Sequence, residues 1–177
     1  MNGKHILLSL KSTVKSRTEV GVQLCHPGDA VLIFREQPRW LVLNCPCGCG
    51  HELSLNLDSR AGAAWRLYFD RSEQLTIFPS VWLQSGCLSH FIVRKNRIEF
   101  LGDERRDVDF VSKEPEFFLL VSRVRLATQD KRWFYYVELA EALDEIPWDI
   151  LDACRYLVHT GNLIDEQRGV DVYFRQR

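Results

Sequence analysis

The sequence predicts an α+β protein in two parts: a small, mostly antiparallel β domain over residues 1–105, then a winged helix-turn-helix-like module over residues 112–177. Three observations predict it. Short apolar runs of strand length, separated by turn residues, fill the first hundred residues. Two groups of soft metal ligands interrupt those runs, Cys45-Pro46-Cys47-Gly48-Cys49-Gly50-His51 and Cys87-Leu88-Ser89-His90. Beyond residue 112 the apolar spacing lengthens to that of helices and then returns to a hairpin.

Size and composition set the outer limits. At 177 residues, 46% hydrophobic and 27% charged, the chain is that of a folded globular protein. A net charge of -1 supplies no general attraction to nucleic acid or to an anionic membrane. No apolar run approaches the roughly 18–20 residues that cross a bilayer. The start, Met1 to Leu10, reads as a strand and not as a secretion signal, so the expected compartment is the reducing cytoplasm. The six cysteines then read as metal ligands and not as disulfides, with the isolated Cys25 and Cys154 taken as small core residues.

In chain order, Val20–Leu24 reads as a short strand and His26-Pro27-Gly28-Asp29 as a turn. Ala30–Phe34 and Trp40–Leu43, separated by Glu36-Gln37-Pro38, predict a hairpin over 30–44. Leu53, Leu55 and Leu57 alternate with polar residues, as in a strand with one buried face. Trp65–Phe69 and Leu75–Phe78 continue the β pattern, Pro79-Ser80-Val81-Trp82 reads as a turn, and Phe91–Arg94 with Ile98–Phe100 closes a last hairpin. Residues 102–107 are a charged linker. Phe117–Val121 suits helix or strand equally. Val137–Leu143 spaces a short helix, Pro147 opens a longer one that Gly161-Asn162 stops, and residues 163–174 make a hairpin around Gly169.

The ligand groups carry the chemistry. Thiolates this close repel one another unless protons or a cation neutralise them, and zinc is the usual cation for tetrahedral Cys and His ligands. In a strand, residues 45, 47 and 49 point to one side and present three sulfurs to one ion. Two ligand sets remain open: Cys45, Cys47, Cys49 and Cys87, leaving His90 free, or three thiolates with His90. His51 reads as solvated. A thiolate-rich set without the helical H-E-x-x-H spacing makes the zinc a staple for a small β domain and not a catalyst. Beside it Ser80 is a candidate nucleophile with His90, if not a ligand, as its base from a neighbouring strand. Ser89 is the poorer candidate, because adjacent strand residues face opposite sides. The plainer alternative is a turn serine and a zinc-ligand histidine.

The tail is not built for DNA. Residues 112–177 hold nine Lys and Arg against twelve Asp and Glu, and the would-be reading helix offers Asp149, Asp152 and Arg155. Phosphates find little to attract them, so a protein contact or a structural role fits better.

Gly28-Asp29-Ala30-Val31, Cys-Pro-Cys-Gly-Cys-Gly at 45–50, Pro79-Ser80-Val81 and Cys87-x-x-His90-Phe91-Ile92 together resemble the bacterial domain-of-unknown-function family DUF6527, over about residues 20–101. The usual Gly of the last hairpin turn is replaced by Lys95-Asn96-Arg97, which touches the turn and not the chemistry. The resemblance implies a role beside bacterial ubiquitin-like proteins and their E1- and E2-like enzymes, in operons associated with phage defence. It implies a peptidase that trims or deconjugates the modifier, with Cys45, Cys47, Cys49, Cys87 and His90 as the Zn2+ or active-site set and Ser80 as nucleophile. The other reading is a non-catalytic zinc adaptor that docks the conjugation enzymes through its tail.

Overall fold

The computed structural model describes residues 6–101, 115–130 and 132–177. The chain forms two compact units, residues 1–105 and 106–177. The charged stretch 102–107 expected as a linker lies outside the described residues. Helices and antiparallel-rich sheets make the fold α+β.

Among its described residues the first unit holds nine strands in chain order: β1 (Ile6–Leu7), β2 (Ser9–Val14), β3 (Asp29–Arg35), β4 (Gln37–Asn44), β5 (Glu52–Asn56), β6 (Arg66–Phe69), β7 (Leu75–Trp82), β8 (His90–Arg94) and β9 (Arg97–Phe100). They form a four-stranded sheet of order β2-β3-β4-β5 and a five-stranded sheet of order β1-β9-β8-β7-β6. All pairs are antiparallel except β2 with β3. The period-2 rule sorts the apolar residues. Ala30, Leu32, Leu41, Leu43, Leu53 and Leu55 of one sheet share a core with Leu75, Ile77, Val81, Phe91, Val93 and Ile98 of the other. Their alternates Val31, Ile33 and Val42 fill a second core on the opposite face. Residues 30–33 are continuously apolar for this reason, since both faces of β3 are covered there, while Phe34 beyond them is exposed.

That second core corrects the reading of residues 20–24. Instead of a strand, two turns of 3-10 helix, Arg17–Glu19 and Gly21–Gln23, lay Val20 onto the outer face of the sheet. The cause is local. Ser16 caps the first turn and Glu19 reaches back to the Ser16 amide at 2.9 Å, a capping box that strand geometry would break.

Gly28 shows how tightly the sheets meet. Its φ is +85°, and a Cβ added there would lie 2.5 Å from the main-chain oxygen of Leu7. Gly28→Ala should therefore lower the stability of this unit by roughly 2 kcal/mol or more, read as a lower thermal midpoint. The last hairpin needs no glycine, since Lys95 and Asn96 both adopt positive φ and the Asn96 side chain accepts the Leu75 amide at 2.8 Å.

The second unit runs α1 (Pro115–Ala127), β10 (Phe134–Tyr135), α2 (Tyr136–Leu143), α3 (Pro147–His159), β11 (Leu163–Arg168) and β12 (Asp171–Gln176). Residues 117–121, ambiguous by pattern, are helical, and Leu120, Val121 and Val124 are their buried side. Pro147 sits in the first turn of α3, where its missing amide hydrogen costs nothing. The strands form an antiparallel sheet of order β10-β12-β11.

Candidate active site and metal centre

The four cysteines converge through two short loops, one from each sheet of the first unit. Cys45 follows β4 directly. Residues 46–49 then form a tight turn and not the extended strand expected from the alternating cysteines. The Gly48 amide bonds the Cys45 carbonyl at 3.2 Å, the Cys45 amide bonds the His51 carbonyl at 2.8 Å, and Gly48 and Gly50 take φ of +86° and +76°. Cys87 comes from the loop between β7 and β8. The sulfurs of Cys45, Cys47, Cys49 and Cys87 all lie within 4.8 Å of one another. Cys45 Sγ is 3.3 Å from Cys47 Sγ and 3.7 Å from Cys87 Sγ. A tetrahedral ion with Zn–S bonds of about 2.3 Å spaces its sulfurs about 3.8 Å apart, so the set fits such an ion.

The four thiols are not equivalent. Burial pushes Cys45 up to about 12. The Ser89 hydroxyl, 3.2 Å from Cys87 Sγ, holds that thiol down at about 6. Ser89 is buried and turned toward the sulfurs. Cys25, expected in the core, is exposed, because its turn is held by its main chain: the Cys25 and His26 amides bond the buried Asp29 carboxylate at 3.1 and 2.8 Å. Cys154 is buried and His51 is exposed.

His90 does not join the group of four sulfurs, an arrangement that matches the all-thiolate alternative of the two ligand sets. The reason is strand alternation: Ser89 faces the sulfurs, so its neighbour His90 faces the other way. There His90 Nε2 lies 3.0 Å from Ser80 Oγ. Ser80 is not on a turn, as its Pro-containing context suggested, but inside β7. Between Ile77, opposite Val93, and Val81, opposite Phe91, β7 spends four residues where β8 spends two. Ser80 belongs to this bulge, which begins at the cis Phe78–Pro79 bond. Bulges re-aim a side chain, and here the result turns Ser80 diagonally toward His90.

Two residues that sequence reasoning passed over complete the surroundings. Trp82 pairs across the strands with His90 and stacks on its ring at 5.2 Å between centroids. Trp65 Nε1 donates to the Ser80 carbonyl at 3.3 Å. The signal for Trp82 lay in the strand period, since residues 80 and 82 share a face once 79–82 is read as strand.

No helix among the described residues is long and apolar enough to cross a membrane. No curated protein and no solved structure matches the chain. Residues 17–101, which contain both the four cysteines and the Ser80–His90 pair, match the family described as bacterial ubiquitination-like system serine protease (BubE).

Proposed function

We propose that the first unit is a serine peptidase that processes or deconjugates a bacterial ubiquitin-like protein, with its zinc structural and its chemistry carried by Ser80 and His90. The observation that carries this reading is the 3.0 Å contact between His90 Nε2 and Ser80 Oγ, inside a region similar to a serine protease family. His90 Nε2 takes the proton of Ser80 as Oγ attacks the scissile carbonyl carbon. The same nitrogen returns that proton to the leaving amine, and water then hydrolyses the Ser80 ester by the reverse sequence. Ser80's own amide is the candidate donor to the oxyanion.

Zn2+ would be held by Cys45, Cys47, Cys49 and Cys87. Bound there, it supplies a crosslink between the loop after β4 and the loop before β8, so it fixes the segment that carries His90. The reducing cytoplasm suits such a thiolate set. Phage defence is the setting that the resemblance implies. The order α1, β10, α2, α3, β11, β12 supports reading the second unit as winged-helix-like, and we assign it to E1- or E2-like partners and not to DNA. Leu119 and Leu126, each 67% exposed on α1, favour that use and keep a non-catalytic adaptor as the second reading.

Zinc content and cleavage of the ubiquitin-like precursor, measured side by side for wild type and His90→Ala, test the reading. Full zinc with lost cleavage is expected. Lost zinc would make His90 a ligand, and an inert wild type would favour the adaptor. Trp82→Ala should slow cleavage about tenfold, because the imidazole loses the ring that holds it, while Trp82→Phe restores most of the rate.

A further inference from the structure

His90 approaches Ser80 from β8, so a substrate must reach Ser80 Oγ from elsewhere. Strand pairing defines where. On the side of β7 away from β8, β6 pairs only as far as Arg66 opposite Phe78. Beyond that point residues 79–82 have no strand beside them among the described residues. The Leu83 amide bonds the Ser89 carbonyl at 2.9 Å, toward β8. Main-chain groups of alternate residues in an antiparallel pair point to alternate sides. Val81 and Leu83 therefore face β8, and Ser80 and Trp82 face outward.

Two contacts agree with this assignment. The His90 carbonyl is taken by the Leu101 amide at 2.8 Å, on its β9 side, so the Trp82–His90 pair exchanges no main-chain bonds. The Ser80 carbonyl receives Trp65 Nε1 from the outer side at 3.3 Å. The same alternation leaves the Trp82 amide and carbonyl on the outer side of β7, and both Pro79 and Trp82 are exposed.

We propose that the substrate binds as an added strand along this open edge of β7, continuing the line of β6. The proposal rests on the reading of Ser80 as nucleophile and extends it to the substrate's form: an extended, unfolded peptide segment recognised through its main chain. Running antiparallel to β7, as β6 does, the segment places its scissile residue opposite Ser80. Trp65 already occupies the Ser80 carbonyl, which leaves the Ser80 amide for the scissile carbonyl oxygen. That carbonyl carbon then lies beside Ser80 Oγ on the side away from His90. The residue two positions before the scissile one sits opposite Trp82 and exchanges both main-chain hydrogen bonds with it. The residue between them turns its amide away from β7.

A ubiquitin-like precursor of the same system, carrying a single N-methyl amide installed by semisynthesis, tests this with the full-length enzyme. N-methylation two residues before the scissile residue should lower kcat/KM about tenfold, the loss expected for one interfacial hydrogen bond with its desolvation penalty. N-methylation one residue before it should change kcat/KM less than about threefold, because that amide faces away from the edge. Equal effects at the two positions, or none at either, with the unmodified precursor cleaved normally, would overturn the edge pairing and leave Ser80 as nucleophile. An unmodified precursor that is not cut at all would remove the Ser80 reading, and the edge pairing with it.

Discussion

Ser80→Ala should abolish cleavage of the ubiquitin-like precursor, lowering kcat by at least about 10⁴-fold, while zinc content, the thermal midpoint and precursor binding stay at wild-type values. The size of the effect follows from the role. Ser80 Oγ is the atom that forms the acyl bond, and no neighbouring group replaces it. The selectivity follows from the surroundings. Ser80 is half-buried, its hydroxyl bonds His90, and its carbonyl bond to Trp65 survives the change. Nothing in the core or the sulfur cluster depends on the lost oxygen. Progress curves and a binding titration on the same preparation check it. A variant that keeps more than about a tenth of the rate would show that another group is the nucleophile.

Removing the metal should have the opposite profile, a loss of stability first and of activity through it. With free zinc a thousandfold above its dissociation constant, binding contributes about 4 kcal/mol to the folded state. For a domain of this size that corresponds to a thermal midpoint lowered by about 20 °C in the presence of a strong chelator. Cys45→Ser should reproduce the loss, because Cys45 is fully buried in the core between the two sheets and would leave its hydroxyl without the ion. Cys47→Ser lies at the exposed edge of the cluster and should cost less. Cleavage should fall with either variant in proportion to zinc occupancy, since Cys87 stands three residues before His90 in the chain. Calorimetry with metal analysis checks both variants. Full activity in zinc-free protein would separate the cysteines from the placement of His90.

What the sequence made legible was decided by local chemistry. Three cysteines within five residues suit neither pairing with one another nor a disulfide framework, so they read as ligands, and the continuous run at 30–34 reads as strand by length. What stayed illegible depended on partners distant in the chain. Val20–Leu24 has the composition of a strand, but the capping box at Ser16 and Glu19 wins locally and the outer face of the sheet receives Val20. Pro79 announces a turn, yet a bulge absorbs it and keeps β7 running to Trp82. His90 was open between ligand and base because the choice rests on which face of β8 meets the sulfurs. Ser89 makes that contact, 3.2 Å from Cys87 Sγ, a placement that follows from the fold and not from spacing in the chain. Cys25 misled for a simpler reason: an isolated cysteine carries no mark of burial, and its turn is held through main-chain amides instead.

The nucleophile at Ser80 and the zinc beside it can be read without a substrate. Intact-mass analysis after treatment with a fluorophosphonate, with zinc counted on the same sample, reads nucleophile and staple together. One adduct per chain is expected, mapped to Ser80 and absent from Ser80→Ala and His90→Ala, with one zinc per chain throughout. An adduct on another residue, or none on zinc-replete wild type, would contradict it.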